Sequence, residues 1–185
     1  ILDPLLTINL PPNITASTGI DAMVHAIEAY TSINPNNNPI SKMLSIEALK
    51  LLGSSIKNAV FERDNINARS NMLLGSMLAG KAFANSPVAA VHALAYPIGG
   101  LFNISHGLSN SLVLSNVMRF NSINEETKKN YANLASYVFK DLDNSKSDEI
   151  VCNNFIDSLE SLSKELNLPY RLRAVSYTHL RAHET

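Results

Sequence analysis

The chain has no tryptophan and a single cysteine, Cys152. One thiol cannot close an internal disulfide, so the fold must rest on its apolar core, and the usage fits a reducing compartment. Charge of one sign is also missing. Fifteen Lys and Arg against sixteen Asp and Glu leave a net charge of −1, and the basic residues are scattered. That argues against a nucleic-acid partner. No apolar run reaches the length needed to span a bilayer, and no basic stretch leads into an apolar segment at the start, so no membrane or secretory signal is read and the cytoplasm is the expected place. Seven glycines are present, none arranged as a dinucleotide-binding GxGxxG. What is abundant is apolar side chain: 45% hydrophobic against 17% charged is enough to bury one sizeable core in a chain of single-domain length.

Both ends of the sequence are unusual. It opens Ile1-Leu2-Asp3-Pro4, without an initiator Met, and is expected to be a fragment whose N-terminal part is missing. It closes with Val175 to Thr185, VSYTHLRAHET. This stretch resembles one reading frame of a transposon-based sequencing adapter, and residues 175–185 are expected to be an artefactual tail, without function and packed against nothing. Setting it aside removes His179 and His183, which at a spacing of four would pose as a metal pair on a helix. Of five histidines, His25, His92 and His106 remain.

Residues 1–174 read as helix after helix. Ser17 or Thr18 is positioned to cap a helix through Asp21 to Tyr30. The turn-rich NPNNNP of Asn34 to Pro39 follows. From Ile40 to about Val60 an apolar stripe of Ile40, Met43, Leu44, Ala48, Leu51 and Leu52 steps at helical spacing. Asn67 to Asn85 continues the pattern, its Gly75, Ala79, Gly80, Ala82 and Ala84 suggesting close helix packing. Ser86-Pro87 opens a helix from Val88 to Ala95 that Pro97 and Gly99-Gly100 end. His106 to Phe120, Ile123 to Phe139 and Ser147 to Leu166 are three more. No stretch sustains period-2 alternation. The fold class expected is all-α, a helical bundle.

Two constellations carry chemistry. Asp21 and His25, at i and i+4, leave the same face of a helix, where one metal ion can touch both. His25 lies among Ala22, Met23, Val24, Ala26 and Ile27, and a buried imidazole needs a partner. His92 and His106 flank a glycine-containing segment that can fold back and aim both rings at one spot. Each residue alone reads as easily as a solvated pair or a satisfied core histidine. Together, three imidazoles and a carboxylate form a good set for Zn²⁺ or Fe²⁺.

The stretch Thr18-Gly-Ile-Asp21-Ala-Met-Val-His25-Ala-Ile-Glu28-Ala-Tyr30 resembles the first signature of the iron-containing (group III) alcohol dehydrogenases. Val91-His92-Ala-Leu-Ala-Tyr96-Pro-Ile-Gly-Gly100, followed by Ser105-His106-Gly-Leu-Ser-Asn110, resembles the second. The resemblance implies a dehydroquinate synthase-like, all-helical C-terminal domain over residues 1–174. It implies that Asp21, His25, His92 and His106 hold a divalent metal, Fe²⁺ or alternatively Zn²⁺. It implies metal-assisted interconversion of an alcohol and an aldehyde or ketone, with hydride passing to NAD or NADP. The N-terminal dinucleotide-binding domain is absent from these residues, so the fragment alone is expected not to turn over, and the full-length protein is expected to be a homo-oligomer. Two departures touch the site. Tyr96 stands where members often carry a further His near the nicotinamide, which makes Tyr96 the candidate catalytic side chain. Ser105 replaces the usual Pro before the His-Gly pair.

Three features imitate other chemistry. Gly75 to Ala82 nearly spells a P-loop, but Ala82 stands where a hydroxyl belongs and no strand precedes it. Glu28, three residues after His25, could ligate or act as a base, but is expected to support the site from behind. Tyr30 is expected in the core or a pocket wall. The alternative functions are a Zn²⁺ polyol dehydrogenase or dehydroquinate synthase-like enzyme, a helical metal-dependent hydrolase, and a non-catalytic scaffold with a structural metal.

Overall fold

The computed structural model describes residues 1–87 and 89–175. Residues 176–185, with His179 and His183, lie outside these, and with them nearly all of the adapter-like tail. Among the described residues the chain is helical and has no strand: a 3₁₀ turn at Pro4–Thr7, then α1 (Pro12–Thr31), α2 (Pro39–Phe61), α3 (Ile66–Asn85), α4 (Ala90–Phe102), α5 (His106–Asn121), α6 (Glu125–Val138) and α7 (Asp148–Glu165). The all-α expectation holds, and no described helix is long and apolar enough to cross a membrane.

The core is built around α1. Ala16, Ile20, Met23, Val24, Ala26 and Ile27 are buried almost completely, and with buried Ala22 and Ala29 they cover more than half of the circumference of the helix. A helix with so wide an apolar face belongs inside a bundle; α1 is surrounded by α2, α3, α5 and α6. It starts earlier than the sequence suggested. Pro12 occupies the first turn, where its missing N–H costs nothing. Ser17 and Thr18 are therefore not caps. Their hydroxyls donate to the Ile14 carbonyl at 3.2 and 2.8 Å, inside the helix.

Asparagine supplies caps instead. Asn38 accepts from the N–H groups of Ile40 and Ser41, Asn65 from Ala68 and Asn124 from Thr127, closing the starts of α2, α3 and α6. The residues lining the core face of α2 are Ser41, Ser45, Ala48, Leu49, Leu52, Ser55 and Ile56. Ile40 and Met43, expected on that face, are exposed. Near the N-terminus of α2 the buried stripe is made of small serines that admit close neighbours, and the larger side chains turn outward. In α3, Gly75 packs directly on Leu52 and Ala48 of α2, and Ala79 and Ala82 are buried as expected. Ala84 is exposed. The P-loop-like stretch is an uninterrupted part of α3. The guanidinium of Arg69, buried, donates to the carbonyls of Ala59 and Arg63 and closes the end of α2.

The largest departure is α4. Pro97 and Gly99-Gly100 do not end it. The helix runs on to Phe102 with Pro97 inside, and Asn103, at φ 52° and ψ 43°, supplies the left-handed stop more often given to glycine. The bridge between the two site histidines is thus mostly helix, and only Asn103 to Ser105 form the connection to α5.

Candidate metal centre

Asp21 and His25 project from adjacent turns of α1, with His25 Nε2 3.9 Å from Asp21 Oδ2. His92 lies in the first turn of α4, and His106 is the first residue of α5. The short turn at Asn103 folds α5 back along α4, and both histidines then face α1. His92 Nε2 and His106 Nε2 each lie 3.6 Å from Asp21 Oδ1. One ligating atom from each of the four residues falls within 4.8 Å of every other. The sequence expected this quartet, and the fold brings all four together.

Gly107 explains how α5 comes so near. A Cβ on Gly107 would stand 2.5 Å from the Ser17 carbonyl oxygen of α1. The absence of a side chain lets the start of α5 touch the α1 backbone one turn before Asp21.

Two polar residues outside the quartet hold it. Asn110, one turn after His106 and fully buried, donates from Nδ2 to Asp21 Oδ1 at 2.5 Å and lies 3.1 Å from His106 Nε2. In the sequence it stands four residues after His106, at the end of the second signature, and nothing there points to a contact with Asp21. Glu28, buried, accepts from the N–H groups of Ala89 and Val91 at 2.9 and 2.7 Å and meets His92 Nδ1 at 2.7 Å. That is the supporting place expected of it. Phe83 packs on His25 with ring centroids 4.8 Å apart, and Tyr96 lies 5.5 Å from His106. His92 is 1% exposed, whereas the side chain of His106 is 43% exposed and Tyr96 62%, so the cluster opens to solvent on the His106–Tyr96 side. Tyr30 is half-buried and lines, with Glu28, Phe120 and Ile123, a separate cavity of about 950 Å³.

The electrostatics are those of a coupled cluster. Burial pushes the Asp21 carboxyl up, but His92, His25, His106 and Asn110 outweigh it and leave it below its usual value. Burial pushes His25 down, and Asp21 only partly restores it. Burial also pushes His92 down, yet Asp21 and Glu28 together raise it to about 9. Two ring nitrogens, His92 Nε2 and His25 Nδ1, are buried and accept or donate no hydrogen bond. Orphaned polar atoms of this kind are costly unless a ligand uses them. Three imidazoles, one carboxylate and an orphaned nitrogen in the most buried ring fit a divalent Fe or Zn ion.

The "Fe-containing alcohol dehydrogenase family, C-terminal" sequence profile matches residues 15–179. The chain belongs to this family. Long-chain-alcohol dehydrogenase 1 of Geobacillus thermodenitrificans is 50% identical over 120 residues, covering 65% of this chain and 30% of that protein. The 1,3-propanediol dehydrogenase of Citrobacter freundii is 36% identical over 173 residues, covering 94% of this chain and 43% of the relative. Among solved structures, an alcohol dehydrogenase from Oenococcus oeni superposes with a TM-score of 0.87 at 33% identity, covering 94% of this chain and 44% of that one. A 1,3-propanediol oxidoreductase matches with the same TM-score at 34% identity. The helical bundle is therefore the iron-containing alcohol dehydrogenase fold of that region, and the chain spans less than half the length of these relatives.

Proposed function

We propose that Asp21, His25, His92 and His106 hold a divalent metal, Fe²⁺ or alternatively Zn²⁺, and that residues 1–174 form the metal-binding domain of a dehydrogenase that interconverts an alcohol with its aldehyde or ketone using NAD or NADP. The observation that carries this reading is the convergence of four donors from α1, α4 and α5 within 4.8 Å, with His92 Nε2 buried and without a hydrogen-bond partner. Family membership supports the chemistry. The activities of the relatives, on long-chain alcohols and on 1,3-propanediol, belong to those proteins and leave the particular alcohol open.

Bound there, the ion would supply Lewis-acid polarisation of the substrate oxygen. The protein's own groups do the rest. Asn110 holds the Asp21 carboxylate by its Oδ1, which fixes the one carboxylate donor among three imidazoles. Phe83, its ring tilted against that of His25, covers one face of the imidazole. Tyr96 stands on the open side beside His106, where its hydroxyl can donate to, or accept from, a substrate oxygen; it is the catalytic side chain in this reading. The cofactor and the second wall of the cleft would come from a dinucleotide-binding domain that these residues do not contain. A soluble cytoplasmic homo-oligomer is proposed for the full-length protein.

The test is made on the full-length enzyme. His92→Ala and His106→Ala should each lower bound metal, measured by elemental analysis of the dialysed protein, by at least the ~10-fold that disturbing a supporting partner costs. The dehydrogenase rate should fall in proportion. Full metal occupancy with full activity in both variants would place the site elsewhere.

A further inference from the structure

The N-terminus of α4 lacks a cap of its own. The residue in the capping position is Ala89, which has no polar side chain, and the first N–H groups of a helix need acceptors. They find them on another helix. Glu28 of α1 accepts from Ala89 N–H through Oε2 and from Val91 N–H through Oε1. The same Oε2 lies 2.7 Å from Nδ1 of His92, in the first turn of α4.

We infer that Glu28 is a positioning residue that fixes the start of α4 and the proton of His92 with one carboxylate. A carboxylate offers only acceptors, so the His92 nitrogen facing it must carry hydrogen. That assigns the proton to Nδ1 and leaves the lone pair on Nε2 when the ring is neutral. Nε2 is the atom turned toward Asp21 and the one left without a partner. The arrangement holds the ring in the tautomer and orientation a metal ligand requires. It also puts negative charge at the positive end of α4. The inference rests on His92 being a metal ligand, as proposed above.

The chemistry explains why glutamine cannot substitute. Three N–H groups converge on two oxygens. A carboxamide has one oxygen and one NH₂. If its oxygen serves Val91, the NH₂ confronts Ala89 N–H and His92 Nδ1, and the ring can answer only by moving its proton to Nε2. If its oxygen serves Ala89 and His92, the NH₂ confronts Val91 N–H. Either way a backbone N–H loses its acceptor, that of Ala89 in the first case and the buried one of Val91 in the second.

The test uses the purified chain and Co²⁺, whose visible absorption reports ligand number and strength, with affinity measured by chelator competition. His92→Ala probes the metal reading itself. If it binds Co²⁺ as tightly as wild type, the metal reading and this inference fall together. With His92→Ala deficient, Glu28→Gln should still fill at high Co²⁺ but with affinity lowered ~10–100-fold and a shifted absorption band. Affinity and spectrum equal to wild type would overturn the inference and leave the metal site standing. Adding Ala89→Ser to Glu28→Gln separates the two duties, since a hydroxyl introduced at position 89 can cap α4 from its own chain. A restored melting temperature with affinity still low is the expected result; recovery of both would show that Glu28 serves only the helix. The unmutated chain gives a second readout, which stands even where a variant fails to fold. In its Zn²⁺-loaded form, ¹⁵N–¹H correlation should place the His92 proton on Nδ1, and a proton on Nε2 would overturn the assignment.

Discussion

Tyr131 of α6 sits in the core, 3% exposed, and burial pushes its hydroxyl from 10 up to about 12 despite a long hydrogen bond from Asn121. In the unfolded chain a tyrosine loses its proton near pH 10. Between pH 10 and 12 the unfolded state therefore binds fewer protons than the folded one, and stability falls as pH rises. Below pH 10 the group contributes no pH dependence. A rise of that size corresponds to roughly 2–3 kcal/mol lost as the pH climbs to 12 and beyond. Urea midpoints of the wild type should decline more steeply over that range than those of Tyr131→Phe, and parallel declines would show that this residue is not responsible. Residues in the candidate site were unequally readable. The Asp21–His25 pair is visible through a helical spacing that needs no tertiary information. Asn110 is not, because an asparagine becomes significant only when folding brings Asp21 within 2.5 Å of it. Phe83 became a neighbour of His25 only through the packing of α3 on α1.

Helices were legible wherever local preference and burial agree. The ends of α2, α3, α5, α6 and α7 fall within a few residues of where spacing and breakers put them. They were misread where tertiary contacts override propensity. α4 tolerates Pro97, Gly99 and Gly100 because its start is capped by Glu28 and its length is packed on α5, and neither is visible along the chain. α1 extends back past Ser17 because Pro12, not a hydroxyl, begins it. Glycines within helices divide by what faces them, and two substitutions expose the difference. Gly80 in α3 has nothing within 4 Å of where a Cβ would stand. Gly80→Ala should stabilise the chain by roughly 0.5–1 kcal/mol, from reduced freedom of the unfolded backbone. Gly107→Ala would set a Cβ 2.5 Å from the Ser17 carbonyl oxygen and 2.8 Å from its carbon. Backbone cannot move aside as a flexible side chain can, so this change should cost about 1–3 kcal/mol and draw His106 away from Asp21. Denaturant titrations of both variants check the signs. A neutral Gly107→Ala would mean that α5 does not approach α1 so closely.

At the scale of the whole chain, the four donors come from both ends of the central packing: α1 at the heart of the core, and the paired helices α4 and α5 leaning on it. In the metal-free state these helices are held mainly by apolar contact, while two orphaned ring nitrogens work against their closing. A metal ion on the four donors would turn that cost into a cross-link and would bind the folded chain but not the unfolded one. Linkage then sets the size of the effect. Ligand at 100 times its dissociation constant stabilises by about 2.7 kcal/mol, and for a chain of this length each kcal/mol moves the melting temperature by roughly 2–4 °C. Zn²⁺ or Fe²⁺ at that excess should raise the melting temperature by about 5–11 °C, and a chelator should reverse the rise. His106→Ala should melt near the metal-free wild type and respond little, because the remaining three donors lose the anchor from α5. The measurement needs neither substrate nor nicotinamide, so it isolates the site from the reaction. A melting temperature indifferent to metal in the wild type, or an equal rise in His106→Ala, would mean that the convergence of these side chains is structural and that no ion binds there.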